Sequence, residues 1–284
     1  MIIRCLGLAL PLLAAVPALA QDTDPPKPIT VSGSVALVSD YRFRGVSQSD
    51  EEIAVQGGLT VAHESGVYAG TWASNLAGWG TFGGANLELD LFAGFKLPVG
   101  DGGTLDLGLT WYMYPGGSDK TDFAEFYAKL GGTLGPVTLL TGIAYAPAQE
   151  ALGRWSFTGQ NAQDVLAGIA DYDDPGDKED NLYIWTDAAA GIPGTPVTAK
   201  AHLGYSEGNR GLGPNGTSVA PTGSYADWSV GLDVALAPVT LGVAYVDTDI
   251  RARDARYLLP NFSSTKDGKP ISDPQVVFSV TASF

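Results

Sequence analysis

Charged side chains recur in this chain at even spacings with apolar residues between them. Asp40, Arg42 and Arg44 form one series, and Glu88, Asp90 and Lys96 form another. Asp106, Glu125, Lys129, Asp187, Lys200, His202, Asp227 and Asp233 obey the same rule in later segments. Even spacing puts such residues on one face of an extended strand. Together they are eight carboxylates, five cations and one histidine. That mixture suits a hydrated interior, where opposed charges set a transverse field and solutes stay solvated. It equally suits a narrow interior filled by its own ion pairs. Arg42 and Arg44 carry the same two readings: an inward rung that attracts anionic groups, or an ion pair with Asp40 that pins a loop.

Other chemistries find little support. The chain has two histidines, His63 and His202. Ser206 shares the parity of His202, but four strand residues separate them by roughly 13 Å, beyond hydrogen-bond reach. No phosphate loop, HExxH zinc motif or paired CxxC occurs. The acidic run at 171–180 is rich in oxygen ligands but lacks the spacing of an EF-hand, so it reads as a solvated loop. An enzyme, a cofactor and a metal site are therefore not expected. With 16 basic and 31 acidic residues, the net charge of −15 disfavours nucleic acid as a partner.

The elements that position the charged face are strands. From Thr30 onward apolar and polar residues alternate with period two, the signature of a sheet with one apolar and one wet face. Leu87, Leu89, Leu91, Phe95 and Leu97 oppose Glu88, Asp90 and Lys96; Leu105, Leu107, Leu109, Trp111 and Met113 oppose Asp106, Thr110 and Tyr112. About twelve such segments fall near 30–43, 52–62, 66–76, 85–97, 103–114, 122–131, 136–146, 181–190, 196–206, 225–236, 238–249 and 274–284. Their length, about nine to fourteen residues, suits a tilted strand crossing a bilayer. Short connections alternate with long ones at 147–180, 207–224 and 250–273. The expected fold is all-β: a transmembrane up-and-down antiparallel β-barrel of about twelve strands, with short periplasmic turns and long external loops. In segment 66–76 neither parity is polar, so its lipid face is not legible. Its small residues suit acceptance of a loop folded into the barrel.

Three segments open on the same triplet. Pro136-Val137-Thr138 leads to Tyr145, Pro196-Val197-Thr198 to Tyr205, and Pro238-Val239-Thr240 to Tyr245, with each Tyr on the parity of its Val. With Tyr41, Phe43 and Trp111, these tyrosines form the expected aromatic girdle at a membrane interface, and Phe284 ends the chain on the outward parity of Val276, Phe278 and Val280.

The N-terminus reads as an export signal. Arg4 precedes an apolar run from Cys5 to Val16, and Pro17-Ala18-Leu19-Ala20 ends in a small-x-small cleavage pattern before Gln21. The expected division is a cleaved signal at 1–20, a periplasmic segment at 21–29 and a barrel at 30–284. Removing the signal removes Cys5, the one cysteine, so no disulfide is available.

Two stretches carry a resemblance. Ser39-Asp40-Tyr41-Arg42-Phe43-Arg44-Gly45-Val46-Ser47-Gln48-Ser49 and Gly66-Val67-Tyr68-Ala69-Gly70-Thr71-Trp72-Ala73-Ser74-Asn75, with Gln56-Gly57-Gly58 between them, resemble signatures of the TorF family of porin-like proteins. The resemblance runs from about residue 30 to Phe284, with its sharp motifs in the first third. It implies an outer-membrane barrel of a Gram-negative bacterium with a porin-like role and no defined substrate. The C-terminal strand ending at Phe284 resembles the signal read by the outer-membrane assembly machinery. The expected activity is passive diffusion of small hydrophilic solutes with a weak cation preference, in contact with outer-membrane lipid. A non-conducting barrel for envelope structure or surface binding is the second expectation, and a rim acyl hydrolase the third. No oligomeric state is legible.

Overall fold

The protein is described by a computed structural model covering residues 28–78, 84–117, 120–153, 163, 167–169, 178–210 and 221–284. The export signal expected at 1–20, most of the periplasmic segment expected at 21–29, most of the acidic run at 171–180 and the centres of the loops expected at 147–180 and 207–224 lie outside the described residues. The strands are β1 (Ile29–Val38), β2 (Arg42–Phe43), β3 (Val46–Ser47), β4 (Ala54–His63), β5 (Val67–Asn75), β6 (Leu87–Val99) and β7 (Gly103–Met113), followed by β8 (Phe123–Leu134), β9 (Val137–Gln149), β10 (Glu179–Gly191), β11 (Val197–Arg210), β12 (Thr222–Leu236), β13 (Val239–Thr248) and β14 (Gln275–Ser283). Among the described residues twelve of these, β1 and β4 to β14, close into one antiparallel barrel, while β2 and β3 form a separate hairpin.

Alternation explains why the sheet closes in this register. Val31, Val35 and Leu37 of β1 point outward, as do Phe126 and Leu130 of β8, Leu203 of β11, Val230 of β12 and Phe278 of β14. Half or more of each of these side chains is exposed, an outer surface that only hydrocarbon covers favourably. Closure pairs every wall strand on both edges, which lipid demands because it offers backbone groups no hydrogen bonds. The last residue makes the seam. Phe284 exchanges two backbone hydrogen bonds with Gly33, at 2.9 and 3.0 Å. Its ring lies where a Cβ on Gly33 would come within 2.6 Å, so the closing pair requires a glycine there.

The ambiguous segment resolves in β5: Tyr68, Trp72 and Ser74 turn inward, and Val67 turns outward. Trp72 packs against the inward-folded residues 39–53, so an aromatic side chain receives that loop, in contrast to the small residues expected to do so.

The first strand differs from expectation. It ends at Val38 and does not run on to residue 43. Asp40 stops it by drawing three side chains to one carboxylate: Arg42 Nε at 2.5 Å, Ser47 Oγ at 2.6 Å and Ser49 Oγ at 3.2 Å. Beyond Ser39 the chain turns into the barrel. Tyr41 and Phe43, expected in the outer girdle, are 5% and 4% exposed inside the wall. Tyr41 packs on Trp72, with ring centres 5.4 Å apart, and Phe43 on Tyr112, at 6.0 Å. Two apolar rings placed beside lumen aromatics gain more from burial than from the interface, and that decides their direction.

Candidate functional site

The hairpin β2–β3 occupies the lumen beneath the long-loop end. Its turn is Arg44-Gly45, with φ of 47° and 80°, the two left-handed residues of a type I′ connection. Gly45 fits because a Cβ there would come within 2.4 Å of the Thr248 methyl. Arg44 is a non-glycine in a left-handed conformation, a strain that persists only where the surroundings hold it. They do. Its guanidinium donates to Glu125 at 2.5 Å and to Asn181 at 2.7 Å, and it lies over the Tyr183 ring at 4.1 Å. The Tyr225 hydroxyl donates to its carbonyl at 2.9 Å. Four wall residues from β8, β10 and β12 therefore converge on the hairpin tip.

Arg42 anchors the hairpin base. Besides Asp40 it reaches the Gly45, Ile271 and Asp273 carbonyls, at 3.0, 3.1 and 2.9 Å. The connection between β13 and β14 thus clasps the hairpin from above. Val46 packs there with Ile250, Leu258, Phe262 and Ile271. At the rim, Asp50 accepts from the Thr265 backbone at 2.9 Å and from its hydroxyl, and Lys266 pairs with Glu52 at 3.1 Å. Arg42 takes Asp40 as its partner, whereas Arg44 takes Glu125 of the wall. Both stand on the hairpin and not on the wall.

All fourteen sequence-predicted ionisable residues lie inside the wall, but they do not line an unobstructed bore. Ten of them are buried: Asp40, Arg42, Arg44, Glu88, Asp90, Asp106, Glu125, Lys129, Asp227 and Asp233. Asp106 has Lys96 and Lys129 as direct cross-strand partners. The Tyr68 hydroxyl donates to Asp106 at 2.6 Å and meets the Tyr127 hydroxyl at 2.5 Å. Lys129 lies 3.8 Å from the centre of the Tyr127 ring, and Lys96 5.1 Å from that of Tyr68. On the opposite wall His202 sits between Asp187, at 2.7 Å, and Asp227, at 3.1 Å, with the Tyr183 hydroxyl 2.9 Å away. Nearer the short turns Lys200 pairs with Asp233 at 2.7 Å. The remaining girdle candidates, Trp111, Tyr145, Tyr205, Tyr245 and Phe284, are exposed on the outside.

The sequence reading missed the hairpin and the inward aromatics Tyr114, Phe123, Tyr127 and Tyr183, while Tyr112 lies inward as its parity with Asp106 and Thr110 implied. The signal for the hairpin was present in Arg44-Gly45, a two-residue turn between the β-prone pairs Arg42-Phe43 and Val46-Ser47.

A closed antiparallel wall, apolar outside and charged inside, with short turns at one end and long connections at the other, defines a transmembrane β-barrel of the outer-membrane porin type. The family model described as "Bacterial protein of unknown function (Gcw_chp)" matches residues 22–284, and the chain belongs to that family. No curated protein matches it in sequence. Among solved structures, the porin NanC aligns over 90% of this chain and 99% of its own, with a TM-score of 0.52 and 11% identity. An outer-membrane channel from Pseudomonas putida aligns over 93% of this chain and 100% of its own, with a TM-score of 0.45 and 10% identity. Outer membrane phospholipase A from Escherichia coli aligns over 93% and 94%, with a TM-score of 0.43 and 12% identity. These are likenesses of fold.

Proposed function

We propose that the protein is an outer-membrane channel for passive diffusion of small hydrophilic solutes, with a weak cation preference, its bore narrowed by the hairpin at 42–47. The observation that carries this reading is the charged interior enclosed by an apolar wall. A charged interior keeps a polar path through the bilayer that hydrocarbon does not offer, which suits solute passage. Carboxylates outnumber cations along the lumen, which favours cations. Twelve strands also fall between the filled eight-stranded and the open sixteen-stranded barrels, so one inserted hairpin is enough to set the bore. The signal at 1–20, delivery to the outer membrane of a Gram-negative bacterium and recognition of the strand ending at Phe284 by the assembly machinery belong to the same proposal.

The sealed ion pairs support one second reading, a barrel that stays shut and serves the envelope through its long connections. Catalysis fits poorly. His202 is held by carboxylates and a phenol inside the wall. His63 accepts from Ser65 only as a turn contact two residues away, and among the described residues no acid hydrogen-bonds the ring to orient it. Reconstitution in a planar bilayer separates the readings. The channel gives discrete current steps with a reversal potential shifted toward the cation, and silence at every voltage removes it.

A further inference from the structure

Most of the lumen charges have an evident partner, and Lys129 of β8 does not. It is 8% exposed, and among the described residues its ammonium takes part in no hydrogen bond or ion pair. The charged groups acting on it are the carboxylates of Asp106, Glu125 and Asp187, with Lys96 opposing them. Each of these carboxylates is engaged elsewhere. Asp106 accepts from the Tyr68 hydroxyl at 2.6 Å, Glu125 from Arg44 at 2.5 Å, and Asp187 faces His202 at 2.7 Å. What Lys129 meets directly is aromatic: its Nζ lies 3.8 Å from the centre of the Tyr127 ring and 5.9 Å from that of Trp185. Ring faces return only part of the hydration that a buried ammonium gives up, so the site is short of one anion.

The backbone makes room for it. Lys129 and Trp185 are both direct cross-strand partners of Gly142, one on each side. The Trp185 ring occupies the space over Gly142, where any side chain would collide with it, and is only partly buried. Lys129 stands four residues beyond Glu125 along β8, about 13 Å toward the short turns from the contact with the hairpin tip. The next inward position is Gly131, flanked by Thr104 and Leu140, all partly exposed, which leaves an approach from the short-turn end.

We propose that Lys129 and Trp185 form a docking point for small organic carboxylates, the ammonium taking the carboxylate and the indole ring the apolar body. A carboxylate supplies the charge-assisted partner that the ammonium lacks, and an apolar body covers ring surface that water covers poorly. The inference names a solute class for the channel and rests on that reading for transport, though not for binding. Preference among small ions follows the charge of the whole lumen, whereas docking follows the immediate surroundings of Lys129.

Benzoate is the probe, with benzamide as its uncharged counterpart. Saturation-transfer NMR on the folded full chain in detergent reads contact between the barrel and each compound, against empty micelles. Transfer to benzoate is expected to exceed that to benzamide and to fall about tenfold in Lys129→Met, the loss of one charge-assisted contact, with recovery in Lys129→Arg. Inorganic phosphate, which has no apolar body, should compete weakly. Heat-modifiable migration on a gel checks that each variant is folded, and if Lys129→Met does not fold, the comparison of benzoate with benzamide on the parent chain decides. Equal transfer to the two compounds, transfer that persists in folded Lys129→Met, or displacement by phosphate at equal concentration overturns the proposal. The bilayer recording stays separate: a silent barrel that binds benzoate through Lys129 removes the channel alone, and a conducting barrel without that binding removes the docking point alone.

Discussion

Replacing Arg44 with Ala removes the one cation at the hairpin tip. Glu125, buried and held at 2.5 Å, is left without its partner. Breaking a buried pair from one side costs about 3–5 kcal/mol, because the surviving charge stays out of water. Loss of the contact with Tyr183, at 4.1 Å, adds about 1 kcal/mol. Little of this is recovered while the hairpin stays in place, so the change favours its departure from the lumen. At roughly 1.4 kcal/mol per tenfold change, the unseated fraction rises by about three to four orders of magnitude. Single-channel recording reads this directly: Arg44→Ala opens far more often, or to a larger conductance, than the parent. Adding Glu125→Gln removes the stranded charge and returns the hairpin part of the way, so the two effects are not additive. Arg44→Ala channels with the open probability and conductance of the parent refute the reasoning, as does simple additivity of the two changes.

Gly45→Val puts a β-branched residue at φ 80° against the Thr248 methyl, and it is expected to unseat the hairpin without altering any charge, raising open probability in the same assay. Tyr68→Phe keeps the ring and removes the hydroxyl shared by Asp106 and Tyr127, so thermal unfolding in detergent should show a loss of about 1–3 kcal/mol. Leu130→Arg places a charge on the lipid face of β8 and should cost about 2–4 kcal/mol in folding titrations into vesicles if that position lies near the midplane. Burial pushes the Glu51 and Asp273 carboxyls, both at the hairpin clasp, above the usual carboxylate range, with Arg42 opposing the shift. The seated state therefore binds more protons than the unseated one. Its stability is greatest below the ordinary carboxylate range and is lost as pH rises through the raised values. Open probability should fall on acidification from about pH 7 to about pH 4.5, and Glu51→Gln should flatten that response.

The wall was legible because each strand solves the same problem. Leu87, Leu91 and Phe95 meet lipid while Glu88 and Asp90 do not, and a two-residue period records that difference directly. The strand boundaries at Gly103, Val137 and Val239 follow tight turns marked by Gly and Pro. The hairpin was not legible in the same way, since Tyr41 and Phe43 resume the apolar parity of β1 after Ser39. Their direction depends on Trp72 and Tyr112, about thirty and about seventy positions away, which no local period encodes. The ionisable set was identified residue by residue, yet its pairing was not. Arg44 meets Glu125 and His202 meets Asp227 only because of register across several strands. The inward tyrosines of β7, β8 and β10 stand on the polar parity, where an amphipathic ring satisfies both packing and hydroxyl. Alternation alone counts them as wet-face residues.

The most direct test of the account is to remove the hairpin. Residues 41–50 are replaced by a Gly-Ser linker long enough to join β1 to β4, and the refolded barrel is recorded in a planar bilayer beside the parent. The account predicts a stable barrel with a several-fold larger, steadier conductance and weaker dependence on pH. A shortened chain that folds and yet conducts no better than the parent contradicts it, because the lumen would then be set by something other than the hairpin.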